Sequence, residues 1–253
     1  MTSDAREPAT IVRFRVADWM ACGPGLETRE DWIAWSRGEK NARADSSAAA
    51  RSLPSILRRR ISAIGQMAFR ASYALPEQRT ARFIFCSRHA ESDRSLRILR
   101  SLSAGEPASP ADFSLSVHNA LAGLLSIAWT NIAGHTTISG GVDSFAYGLL
   151  ESLACVLSGT AETVMLVYFD DQLPQPYDEI SDGADTCVAL AILLDPPRYD
   201  DDDFRFDLEP RVRNGRPPPA SEQALDFIRF MLSDESERSS AGERIRWRLQ
   251  RCA

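Results

Sequence analysis

Hydrophobic and polar positions change their period several times along the chain, and each change marks an element. Ile11–Val16 alternates in part and predicts a first strand. Gly23-Pro24-Gly25 breaks it, and Thr28 with Glu30 and Asp31 behind it signals the start of a helix carrying Trp32 and Trp35. Residues 37–52 are rich in Ala, Ser, Arg and Asp without an apolar period and predict a surface loop. After Pro54, Ile61, Ile64, Met67, Ala68 and Ala71 recur at helical spacing, which predicts an amphipathic helix ending near Leu75. Arg82–Cys86 is the short, nearly continuous apolar run of a buried strand. A helix from Asp93 or Ser95 carries Leu96, Leu99 and Leu102 until Gly105–Pro110 stops it. Asn119–Ile132 is apolar on most faces, Thr136–Ile138 reads as a short strand and Val142–Leu157 as a helix. Glu162–Asp170 and Asp185–Asp195 read as strands, the second behind the turn-like Ser181-Asp182-Gly183.

Strands alternating with helices at this rhythm predict an α/β layered domain over residues 10–195. Residues 196–253 read differently. The acidic run Asp200–Asp203 and the proline-rich Arg216–Pro219 predict a loop, and Glu222–Leu232 and Glu243–Arg251 read as surface helices, a C-terminal helical extension. The helix at 142–157 is apolar around nearly its whole circumference, so it is expected between layers and buried on all sides.

Composition narrows the classes. At 253 residues, 44% hydrophobic and 25% charged, the chain has the makings of a core, which excludes wholesale disorder. Its longest apolar runs, Val164–Phe169 and Val188–Leu194, are far shorter than the roughly 20 residues that span a bilayer. Met1–Thr10 is polar and has no signal-peptide pattern. The five cysteines (Cys22, Cys86, Cys155, Cys187, Cys252) are scattered without a CxxC pair. A disulfide framework or zinc site is therefore not expected, and a reducing cytoplasm is. The net charge of −6 divides into +4 over residues 1–150 (18 basic, 14 acidic) and −10 over 151–253 (11 basic, 21 acidic). Arg58-Arg59-Arg60 is the nearest approach to a basic patch, too little for a nucleic-acid surface. Asp200–Asp203 lacks the glycine and ligand spacing of a calcium loop and reads as a solvated turn.

Three stretches then carry a resemblance: Ser116-Val117-His118-Asn119-Ala120-Leu121-Ala122-Gly123, Ile138-Ser139-Gly140-Gly141-Val142-Asp143-Ser144-Phe145, and Val164–Asp170. Their order resembles the N-terminal half of β-ketoacyl synthases, condensing enzymes of the thiolase fold. Ala133–Ile138 stands where that family has its Gly-Pro and strand, and Asp182–Asp185 into Val188–Leu194 resembles its next strand. Leu53–Arg60, Phe85–His89 and Ser109–Ser114 add a likeness to a short ketosynthase-like subfamily, the chain-length-factor-like partners in aryl polyene-type biosynthesis. The resemblance covers roughly residues 10–195.

It implies a thiolase-like α/β fold, no cofactor and no metal, and it exposes two departures. A condensing ketosynthase places a cysteine at the N-terminus of the buried helix, where the helix dipole and backbone N–H groups stabilise thiolate. Aligned on that turn, this chain has Gly141. Cys155 lies far along the same helix and does not substitute. The family also draws two catalytic histidines from a C-terminal half, whereas the only histidines here, His89, His118 and His135, precede the turn. The implied role is a non-catalytic subunit that heterodimerises with a full-length β-ketoacyl synthase and meets acyl carrier protein through that complex.

In the family, the helix after Ser116–Asn119 and the following strand lie near the dimer interface. Ser116, His118, Asn119, Leu124, Leu125, Ile127, Ala128 and Trp129 are therefore the interface and acyl-tunnel candidates. Arg58, Arg59 and Arg60 are the candidates for docking an acidic carrier protein. Asp143 and Ser144 read as helix-capping residues, His118 as a buried hydrogen-bonded histidine and Cys86 as a small buried hydrophobe. The alternatives are a stand-alone acyltransferase or thioester hydrolase using Ser144 or Cys86 with His118, and a homodimeric carrier-protein-binding scaffold.

Overall fold

The computed structural model describes residues 11–42, 60–75, 79–89, 91–180, 187–200, 203–210 and 222–252. Eight strands form one sheet: β1 (Ile11–Cys22), β2 (Arg82–Cys86), β3 (His135–Ile138), β4 (Val164–Asp170), β5 (Val188–Asp195), β6 (Phe204–Pro210), β7 (Glu237–Ala241) and β8 (Ile245–Arg251). Their spatial order is β3-β2-β4-β5-β1-β6-β8-β7. β3, β2 and β4 run parallel, and every pairing from β4 to β7 is antiparallel.

Helices cover both faces. They are α1 (Arg29–Ser36), α2 (Ala63–Tyr73), α3 (Ser92–Ser103), α4 (Pro110–Ser114), α5 (Ala120–Trp129), α6 (Ser144–Leu157) and α7 (Gln223–Leu232). Alternation sorts the strand side chains. Phe83 and Phe85 of β2, with Met165 and Val167 of β4, pack under α2 and α5. Ile84, Cys86 and Leu166 pack on the opposite face with Phe145, Leu149 and Leu153 of α6 and Phe227 and Ile228 of α7. β4 and β5 are covered on both faces, which explains why they read as unbroken apolar runs rather than alternating ones.

Thr28 caps α1 with a full capping box: its side chain accepts from Asp31 N–H, and the Asp31 carboxylate accepts from Thr28 N–H. The Trp32 indole N–H, at the heart of that helix, donates to the Ala21 carbonyl of β1 at 2.9 Å.

The C-terminal segment departs from the expectation. Glu243–Arg251 is not a helix: Ile245–Arg251 is β8, pairing with both β6 and β7. Trp247 and Leu249 are buried while Arg248 pairs with Asp207 at 2.6 Å, so the governing period is two. Phe204–Pro210, expected as part of a loop, is β6. The expected division at residue 195 therefore falls between two strands that flank β1 in one sheet. Helix α7 exists but is no surface helix, since Leu225, Phe227, Ile228 and Phe230 are buried.

A second correction concerns α6. Phe145, Leu149, Leu153 and Val156 are buried, but Leu150, Ala154 and Leu157 are exposed. The helix lies on one sheet beside α7 and leaves an outward stripe uncovered, so it is not enclosed on all sides.

Candidate functional site

The turn that would carry a nucleophile lies between β3 and α6. Ser139 and Gly140 leave the strand, Gly141–Asp143 makes a single 3-10 turn, and α6 begins at Ser144. Gly140 is required by packing, because a Cβ there would fall 2.5 Å from Cδ2 of Tyr147. Gly141 is required by backbone shape: its φ is +64°, which L side chains adopt only with strain. It is exposed, and its missing side chain would point toward Oε2 of Glu243, 3.9 Å from an ideal Cβ.

Asp143 and Ser144 do not cap α6 in the expected way. The Ser144 hydroxyl donates to Gly141 O at 2.7 Å and accepts from Gly140 N–H at 3.0 Å, which pins the turn rather than the helix. Asp143, fully buried, accepts from Gln223 Nε2 at 3.0 Å and from Arg244 N–H at 2.9 Å. Gln223 also turns its Oε1 to the Ala146 N–H at 3.1 Å, so one open donor of the first turn of α6 is satisfied from α7. A Cβ on Gly242 would overlap the Asp143 carboxylate, so only glycine fits the β7–β8 turn there.

A second polar cluster sits at the C-terminal ends of β2 and β4. Buried Asp170 accepts from Arg88 N–H (3.0 Å), His89 N–H (2.9 Å) and the Tyr168 hydroxyl (3.2 Å). Burial raises its carboxyl above the ordinary range, against the pull of those hydrogen bonds. Cys86 beside it has no exposure, and burial, then the Asp170 charge, pushes its thiol well up. It is the small buried hydrophobe expected.

The expectation of a buried His118 is corrected. It is exposed, its Nδ1 stands 3.3 Å from Ser87 Oγ, and partial burial lowers its pKa. Among the described residues no hydrogen bond joins it to Ser144 or Cys86, so the structure does not bring together the pair of the enzyme alternative.

The interface candidates divide by depth. Leu125 is fully buried, and Trp129 is buried with its ring against Phe83 and Tyr73; both belong to the chain's own core. Leu124 and Ser116 are half-buried, the Ser116 hydroxyl donating to Phe113 O. Asn119 and Ala128 are exposed, and Ile127 is 77% exposed. Ile132, which the candidate set omits, is 96% exposed just before β3; an isoleucine between Asn131 and Ala133-Gly134 in a turn was the available signal. β3 is an edge of the sheet. Arg58 and Arg59 lie outside the described residues, as do Leu53–Leu57 and Ser181–Thr186. Arg60 is exposed and its carbonyl accepts from Arg94 at 3.0 Å. Asp203, expected in a solvated turn, is buried and accepts from Arg198 and Tyr199 N–H.

No group of His, Cys, Asp or Glu with metal-ligand geometry is present among the described residues, and no helix among them is long and apolar enough to cross a membrane.

A model of the β-ketoacyl synthase N-terminal domain matches residues 32–250. The chain belongs to that family. The match runs through β6 and the β7–β8 hairpin and covers the expected 10–195 region from residue 32 onward. A search of curated proteins finds no match. Among solved structures, the ketosynthase fold recurs in a chain of the complex of a ketosynthase (ApeO) with its chain length factor (ApeC) from Xenorhabdus doucetiae. That likeness has a TM-score of 0.82 and 28% identity, over 95% of this chain and 100% of that one. The ishigamide ketosynthase/chain length factor matches with a TM-score of 0.59 and 15% identity, over 79% of this chain and 67% of that one. A chain of AntDE:AntF, a type II polyketide acyl carrier protein in complex with its ketosynthase bound to the hexaketide, matches at 0.57 and 12%, over 74% and 63%. These two share the fold. Together they make the layered α/β architecture described above a thiolase-like one.

Proposed function

We propose that this chain is a non-catalytic, chain-length-factor-like subunit in polyketide-type synthesis. It pairs with a full β-ketoacyl synthase, stabilises it and bounds its acyl tunnel, while the chemistry and the carrier-protein traffic stay with the partner. The observation that carries the reading is Gly141. Position 141, which the resemblance aligns with a condensing enzyme's nucleophile, is a glycine at φ +64° in a tight turn between a strand and a helix, and this supports the reading.

Exposure supports a place for the partner. β3 offers an unpaired sheet edge among the described residues, flanked by Ile127 and Ile132 in water, and an apolar edge of this kind is what a protein interface covers. Ile127, Ala128 and Leu124 are the groups placed to meet the partner's tunnel; Leu125 and Trp129 support them from behind. The match to a chain of a ketosynthase–chain length factor complex supports the same reading.

Reconstitution tests it. Condensation by the synthase should require its own cysteine and be unaffected by Ser144→Ala or Cys86→Ala here, and the isolated chain should not turn over an acyl thioester. Turnover lost on substituting Ser144 or Cys86 would replace this reading with the enzyme one.

A further inference from the structure

On the subunit reading the elbow carries glycine at position 141, and the surroundings of that turn add to the reading. A helix N-terminus activates a thiol through unpaired N–H groups and a positive potential, and here the C-terminal segment of the same chain reaches into that helix start. Gln223 of α7 takes the Ala146 N–H with its Oε1 and the Asp143 carboxylate with its Nε2. Arg244, in the β7–β8 turn, gives its N–H to the other Asp143 oxygen, across a sequence separation of 101 residues. Gly242 lets that turn close onto the carboxylate where a Cβ would overlap it. The same turn brings Glu243 to the direction in which a side chain at 141 would project.

We propose that the β7–β8 turn and the start of α7 form an internal stopper for the elbow, keyed to Asp143. The stopper takes the Ala146 N–H of the helix start and sets the Glu243 carboxylate opposite position 141. Reinstating a cysteine alone therefore does not recreate an activated thiol. This goes beyond the subunit reading, because it concerns the chain by itself and holds whether or not a synthase binds.

Two experiments on the full chain test it. In Gly141→Cys, the alkylation of the new thiol by iodoacetamide, followed by peptide mapping, should show a midpoint at or above the ordinary cysteine value of about 8.5. The carboxylate it would face is that of Glu243, with buried Asp143 two residues along. Adding Glu243→Gln should move the midpoint down and speed alkylation severalfold at pH 7. A midpoint already below about 7 in the single variant, within the range of activated thiols, or one that Glu243→Gln leaves in place, overturns the proposal. Because φ at 141 is strained for cysteine, the second experiment leaves that position alone. Hydrogen exchange of Gln223→Leu should show residues 140–146 and 242–247 losing protection together, by about tenfold or more, while β2 and β4 keep theirs. Unchanged protection at 140–146 would mean that the turn merely lies nearby.

Discussion

Gly148 of α6 lies against Cys86 of β2 so closely that a Cβ on the glycine would fall 2.5 Å from the cysteine's Sγ, and 3.1 Å from Cδ1 of Leu166. Glycine is what lets the central helix sit down on the sheet and hold the elbow at its height. Gly148→Ala should therefore destabilise the chain by about 1–3 kcal/mol through overpacking. Adding Cys86→Ala should recover part of the loss, so that urea denaturation of the two single variants and the double gives a non-additive cycle. Strict additivity would show that the two positions do not press on each other.

The Asp143 cluster gives a second stability test. Asp143→Ala leaves Gln223 Nε2 and the Arg244 N–H without their acceptor in a buried place and should cost about 1–3 kcal/mol. Asp143→Asn should cost less, since one amide oxygen still accepts one of the two bonds. Equal stability of all three proteins in urea would mean the cluster is idle.

How much of this was legible in the sequence depends on range. The nearly unbroken apolar run of β2, the Thr28 start of α1 and the apolar runs of β4 and β5 are local signals, and the structure agrees with each. Ile245, Trp247 and Leu249 carry an equally local period of two, yet arginines between them gave the segment the look of a charged helix. Their strand character is decided by pairing with β6, whose own Phe204 and Phe206 follow an acidic run. The elbow's glycine was legible only through resemblance, and the bond of Gln223 to Asp143 not at all, the two lying 80 residues apart. The depth of Leu125 and Trp129 was hidden for a related reason: α5 is apolar on most faces, so composition does not say which face the sheet takes.

Cys187 is the least buried of the five thiols, and its environment should still keep it slow. Burial first, then the neighbouring Asp171 charge and hydrogen bond, push its pKa up to about 12. At pH 8 the thiolate is then a minute fraction, and iodoacetamide labelling should rise about tenfold per pH unit well past pH 9. Asp171→Asn should move that rise to lower pH. Fast labelling at pH 7 would contradict the assigned surroundings.

Neighbours on α5 should separate fold from interface. Leu125→Ala, in the core, should cost about 2–5 kcal/mol in the isolated chain. Ile127→Asp and Ile132→Asp, in water, should stay within about 0.5 kcal/mol of the parent yet abolish association with a synthase. If the aspartate variants still bind and leave product length unchanged, the proposed contact face is wrong.

The most direct measurement is co-expression with a full β-ketoacyl synthase from the same genome, followed by size-exclusion chromatography with light scattering. The account predicts a stable one-to-one heterodimer whose condensing activity disappears only when the partner's nucleophilic cysteine is replaced. A homodimer of this chain that ignores the synthase would contradict it.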